Sequence, residues 1–323
     1  MTNVKPFTVI SQIELPIIIS PMFLVSSVKM VIEGCKAGVI GSFPLANART
    51  LEDLDNWMIR ITEGLSTARS NEPTSKIAPW AVNLAVHHTN ARYEVELEYI
   101  RKYKPPVVIT SLGDPSRVVG IVHDYGGLVF SDVVNLVHAR KAAERGTDGL
   151  ILVCNGAGGH AGTYNPFAFI HAVKEFWDGI TILAGGISTG RDILAARILG
   201  ADLVYMGTRF LASKESLANS EYQKILFEST IEDIIYTDVF SGVNANYLIP
   251  SLQRAGIDPK QLPTKESFNW SRANDNGPKV WKNIWSAGHG VGAIKKEETV
   301  AEIIDKLKHE YLDLSTNKNM QNL

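Results

Sequence analysis

Cysteine is scarce in this sequence: Cys35 and Cys154 stand alone in 323 residues. Two cysteines make no disulfide framework, so reduced thiols in a cytoplasmic protein are the expectation. An excess of either charge is also missing. The 32 lysines and arginines nearly balance 34 acidic residues, giving a net charge of −2 without basic runs. That balance argues against nucleic acid or an anionic membrane as partner. No apolar stretch is long enough to span a bilayer, since "LPIIISPMFLV" is short and broken by prolines and Ser20. The first residues lack the basic flank and small-residue cleavage site of a secretion signal. Low-complexity tracts and short repeats are absent too.

What remains is an ordinary globular composition, with length ample for a large core. From residue 17 to about 210, apolar β-branched runs alternate with helical-period segments. The runs are "IIISPM", "VIGSFP", "WAVNLAV", "VVITSL", "GLVFSDV", "GLILVCN", "ITILAGG" and "LVYMGTRF". Nearly continuous apolar strands suit a parallel sheet covered by helices. Segments such as "NLVHARKAAERG" and "GRDILAARILG" carry apolar positions three or four apart and end in glycine. Taking the eighth helix to begin near Lys214, eight strand–helix units result, the number that closes a (β/α)8 TIM barrel. An open doubly wound sheet satisfies the same alternation.

The division predicted is a barrel from 1–213 and 276–323, with a small appended α-helical lobe over 214–275 beside the barrel mouth. That lobe ends in the polar "NWSRANDNGP". The final "STNKNMQNL" reads as a frayed end.

Barrel chemistry sits at the C-terminal strand ends. Those ends carry Ser20–Met22, Asn83, Ser111, Ser131, Asn155 and paired glycines. Gly185 and Gly186 after the seventh strand, and Gly207 and Thr208 after the eighth, expose main-chain donors where barrels bind phosphate. Ser188 or Thr189 is placed to cap the following helix. Tight strand-to-helix turns are the alternative reading of these glycines. After the sixth strand, "CNGAGGHAGTYNPF" surrounds His160 with glycines, which clears room for a flat ring against the backbone. An imidazole there suits proton transfer near neutral pH. The competing reading makes His160 a structural tie.

"GAGGHAG", "LAGGIS", "GADLVYMGTRFLAS", "SPM", "VNL" and "SAGHGVG" occur in an order that resembles the nitronate monooxygenase family, formerly the 2-nitropropane dioxygenases. The resemblance covers nearly the whole chain. It implies an FMN-dependent barrel that oxidises alkyl nitronates with O2 to carbonyl compounds and nitrite. It further implies flavin-ring contacts from Pro21, Met22 and Phe23, a bond from Asn83, and cofactor contact at Ser131, Gly158 and Gly159. Gly185, Gly186, Gly207 and Thr208 would hold the FMN phosphate, and His160 would be catalytic. No metal is implied, and a homo-oligomer is compatible with the pattern.

The sequence departs from the family where many relatives carry a glutamate and it has Gly156. It has no lysine near Ser131 or Asp132, and "FSGVNANYL" lacks an arginine. The alternative on the same barrel is a flavin-dependent NAD(P)H reductase of enoyl thioesters or quinones. Both use the flavin's redox chemistry, so FMN motifs do not separate them.

Among other candidates, at most one of His87 and His88 can reach the mouth, because neighbours on a strand point oppositely. Cys154 reads as a small core residue rather than a nucleophile. His289 reads equally as a closing group or a surface-loop residue. Trp80, Trp281 and Trp285 suit either a substrate pocket or lobe packing.

Overall fold

The computed structural model describes residues 9–262 and 281–316. The expected polar end of the lobe, the 275/276 boundary and nearly all of the predicted frayed tail lie outside them.

Eight parallel strands form the barrel: β1 (Ile17–Ile19), β2 (Gly41–Pro44), β3 (Trp80–Ala85), β4 (Val107–Ser111), β5 (Leu128–Val133), β6 (Gly149–Val153), β7 (Ile180–Ala184) and β8 (Leu203–Met206). From β2 to β8 each strand hydrogen-bonds its sequence neighbours in turn, and β8 pairs with β1. Ile40, just before β2, closes the ring by exchanging main-chain bonds with Ile17 and Ile19. The architecture is a (β/α)8 TIM barrel.

The apolar runs resolve into two faces with period two. Ile18, Ile109, Phe130, Ile151 and Ile182 fill the interior. Ile17, Val82, Val108, Leu150 and Val204 pack outward into the clusters beneath the helices.

The helices begin where the sequence supplies caps. Ser27 caps α1 (Val28–Lys36), and Thr50 with Asp53 forms a reciprocal box at α2 (Leu51–Asn71). There follow α3 (Tyr93–Tyr103), α4 (Ser116–Asp124), α5 (Leu136–Glu144), α6 (Pro166–Lys174) and α7 (Gly190–Ile198). Thr189 and Asp192 form the box of α7, as expected of a capping Thr189.

The eighth helix is not where the sequence placed it. After β8 comes one 3-10 turn, Thr208–Phe210, and the chain leaves the barrel. Its helical place is taken by α10 (Val300–Ser315), which lies against α7. A Cβ on Gly190 would stand 2.4 Å from the nitrogen of Tyr311, and the Gly190 amide donates to the Glu310 carboxylate. The exit and return of the excursion are pinned side by side. Ser213 bridges Glu298, and the Glu215 carboxylate accepts from the Val300 amide. Arg209 and Glu298 add a buried ion pair at 2.8 Å.

Between those points, α8 (Ser220–Glu228) and α9 (Ile249–Arg254) supply the helical part of the lobe. The lobe also contains an antiparallel hairpin, Ile234–Thr237 with Ala245–Leu248. The sequence reading missed it, although β-branched and aromatic residues flank a Ser241-Gly242 turn. A third short strand, Gly159–His160, pairs with Ala245 and Asn246, so the glycine loop of the barrel joins the lobe in one sheet. No described helix is long and apolar enough to cross a membrane.

Candidate active site

A cavity of about 1600 Å³ opens over the C-terminal ends of the strands, between barrel and lobe. All twelve candidate site residues border it: Pro21, Met22, Phe23, Asn83, Ser131, Gly158, Gly159, His160, Gly185, Gly186, Gly207 and Thr208.

The loop after β1 is held by Asn47 from outside it and by its own Ser26. Asn47 accepts from the Leu24 amide and donates to the Met22 and Ser26 carbonyls, while Ser26 Oγ accepts from the Met22 amide. These bonds fix the main chain of Pro21–Phe23 at the cavity edge. Leu24 takes the left-handed conformation, with φ of 61°. Asn83 tops the inner face of β3, where its amide donates to Ser111 Oγ and the Ile109 carbonyl.

Ser131 borders the cavity, but not through its hydroxyl. Its hydroxyl points away from the barrel axis and bonds Thr110 and Thr147. Alternation along β5 sends the next residue, Asp132, inward instead. Asp132 Oδ1 is buried without a partner among the described residues, and burial pushes its carboxyl up to about 7. Burial and the charge of Asp132 together push the Tyr205 hydroxyl well above its usual range. Neither group was singled out from sequence, because an acid inside an apolar strand carries no spacing signature.

At the ends of β7 and β8, Gly185 and Gly186 have φ of 123° and 70°. A Cβ on Gly186 would meet nothing within 4 Å, so its space belongs to the cavity. The first amides of α7 are already engaged: Ser188 and Thr189 donate to Asp192, and Gly190 to Glu310. An anion here would therefore meet the loop amides at 185–187 and 207–208 rather than the helix terminus.

The glycine loop has a split explanation. Gly156, Gly158 and Gly162 permit close packing. A Cβ on Gly156 would strike the His289 ring, and one on Gly158 would stand 2.9 Å from the Gly288 nitrogen. At Gly162 it would meet the Val153 carbonyl. Gly159, with φ of 72°, faces open space, and its amide donates to Ser286 Oγ at 2.6 Å. His160 follows with its imidazole in the cavity wall, edge-on to Trp281 at 5.6 Å between ring centres. Its Nε2 lies 3.3 Å from Ser241 Oγ. Burial lowers the imidazole pKa, favouring the neutral ring.

Of the two adjacent histidines, only His87 borders the cavity. His289 donates its amide to the Gly156 carbonyl and serves loop packing. Cys154 is fully buried, and burial pushes its thiol up to about 12, which makes it a core residue. Trp281 and Trp285 line the cavity, whereas Trp80 is buried in the core. No cluster of metal-ligating side chains occurs among the described residues.

A parallel barrel whose cavity collects a histidine, glycine-rich loops and a buried acid over its strand ends has the build of a barrel enzyme. The nitronate monooxygenase family model matches residues 5–310, and the chain belongs to that family of oxidoreductases. It is similar to a nitronate monooxygenase of Neurospora crassa, 25% identical over 91% of this chain and 89% of that one. Among solved structures it is similar to FabK from Thermotoga maritima (TM-score 0.79, 23% identity, 100% of both chains). It is also similar to nitroalkane oxidase from Streptomyces ansochromogenes (TM-score 0.76, 22% identity, 95% of this chain and 98% of that one). At these identities the two structures speak to fold.

Proposed function

We propose that this chain oxidises alkyl nitronates, and the nitroalkanes they derive from, with O2 to carbonyl compounds and nitrite, using FMN. The observation that carries the reading is convergence. His160, the glycine loops at 185–186 and 207–208, and the Pro21–Phe23 loop border one cavity large enough for a tricyclic ring with a charged tail.

The residues present fit FMN. Gly159 and Gly186 both leave open space where any other residue would place a Cβ. The orphaned Oδ1 of Asp132 lacks a partner that a ring N–H would supply. The loop amides at 185–187 and 207–208 would hold the phosphate, and the main chain at Pro21–Phe23 would flank the ring. Bound there, FMN supplies the redox centre through which substrate electrons reach oxygen.

The protein's own part is binding and proton handling. Neutral His160 accepts a proton from the carbon of a neutral nitroalkane, and a preformed nitronate needs no such step. The resulting imidazolium lies beside the anionic substrate and holds it in place. Trp281 and Trp285 give the cavity an apolar wall suited to an alkyl chain.

The test is oxygen uptake and nitrite release with propionate-3-nitronate and alkyl nitronates, run beside anaerobic mixing with NADH or NADPH. Saturable oxygen uptake with nitrite is the expected result. Rapid flavin bleaching by a nicotinamide, without nitronate-dependent oxygen uptake, would replace this reading with the enoyl-thioester or quinone reductase.

A further inference from the structure

We infer that Ser241 is a positioning residue that holds His160 in its Nε2–H tautomer, leaving the Nδ1 lone pair as the proton acceptor in the cavity. The role given to Nδ1 rests on the function proposed above; the tautomer itself does not.

The argument is a count of hydrogens. A serine hydroxyl carries one hydrogen and two lone pairs. Ser241 Oγ gives its hydrogen to the Val243 carbonyl at 2.7 Å. One lone pair accepts from the Tyr247 hydroxyl at 3.2 Å. The other faces His160 Nε2 at 3.3 Å, so the imidazole must be the donor. A neutral ring that donates from Nε2 carries its lone pair on Nδ1. Nδ1 has no hydrogen-bond partner among the described residues, and the ring borders the cavity.

The arrangement explains why the barrel's glycine loop and the lobe's hairpin share a sheet. Pairing of Gly159–His160 with Ala245 and Asn246 brings the Ser241 turn onto the imidazole. Tyr247, on the same hairpin strand, backs the hydroxyl from behind. The edge contact with Trp281 limits rotation of the ring.

The test reads the tautomer directly. Long-range proton–nitrogen correlation spectra of the purified protein, 15N-labelled at histidine, are assigned for His160 by the signals missing in His160→Asn. A protonated Nε2 with an unprotonated Nδ1 is expected, and the reverse pattern overturns the inference without any further variant. Ser241→Ala should blur the single-tautomer pattern and lower kcat with a neutral nitroalkane about tenfold, the effect of one lost orienting hydrogen bond. With preformed nitronate the change should stay within about twofold. Ser241→Thr should restore both readouts. An alanine variant with the wild-type pattern and wild-type nitroalkane turnover overturns the inference. If no nitronate or nitroalkane is turned over at all, the proposed function fails, while the wild-type spectrum still decides the tautomer.

Discussion

Gly158 and Gly288 meet backbone to backbone: a Cβ on Gly158 would stand 2.9 Å from the Gly288 nitrogen and 3.1 Å from Thr208 Oγ1. One glycine thus locks together the loop after β6, the end of β8 and the C-terminal segment. Gly158→Ala is expected to destabilise the protein by about 1–3 kcal/mol through overpacking. Urea unfolding should show a lower midpoint at unchanged slope. Because Gly159 and His160 follow directly, kcat should fall as well.

His160→Ala should keep its flavin but lose roughly 10²–10⁴-fold in turnover of neutral nitroalkanes, the usual range for a general base. Preformed nitronates should suffer less. Burial lowers the His160 pKa, so its basic form persists below the ordinary imidazole range as pH falls. The kcat/KM for a neutral nitroalkane should therefore stay level into that region before dropping. Unchanged turnover in the alanine variant would make the histidine structural.

Gly186 tests the anion cradle. A valine there would put its side chain into open cavity space and force a side chain into φ of 70°. Gly186→Val should lower the flavin-to-protein absorbance ratio while far-ultraviolet circular dichroism stays native. Full flavin occupancy in that variant would move the phosphate elsewhere.

Asp132 provides a pH-dependent signature. Its folded-state carboxyl lies near 7, above the ordinary carboxylate value of about 4. Between those values the folded state holds a proton that the unfolded chain has released. Its destabilising contribution is thus absent below pH of about 4 and complete above about 7. On moving from pH 5 to pH 8, the flavin-free wild type should lose up to a few kcal/mol that flavin-free Asp132→Asn does not. Parallel pH profiles for both proteins would contradict this account.

Much of the fold was legible because barrel strands announce themselves. They are short apolar runs at regular spacing, separated by helices that open on Ser27, Thr50 or Thr189 and stop near glycine. The strand-end filter and the family resemblance together gathered twelve residues that the structure places around one cavity. Less local features escaped. The eighth helix was misplaced because its contacts with α7 span more than a hundred residues, and no local pattern marks such a return. That Asp132 rather than the Ser131 hydroxyl points inward was not legible, because strand parity is hidden in a run that is buried on both faces. The hairpin that delivers Ser241 carries little local signal, because its strands are four residues each and its partner, Gly159–His160, lies some eighty residues away.

Placing α10 last has a consequence for synthesis. Val300, Ile303, Ile304 and Leu307 belong to the same apolar cluster as Ile17 and Val204, so that layer stays incomplete until the helix arrives. A nascent chain leaving the ribosome N-terminus first must hold an incomplete ring through the whole detour of the lobe. Premature termination before residue 300 would leave an apolar scar at the seam, a product fit for chaperones and proteases rather than for ligand.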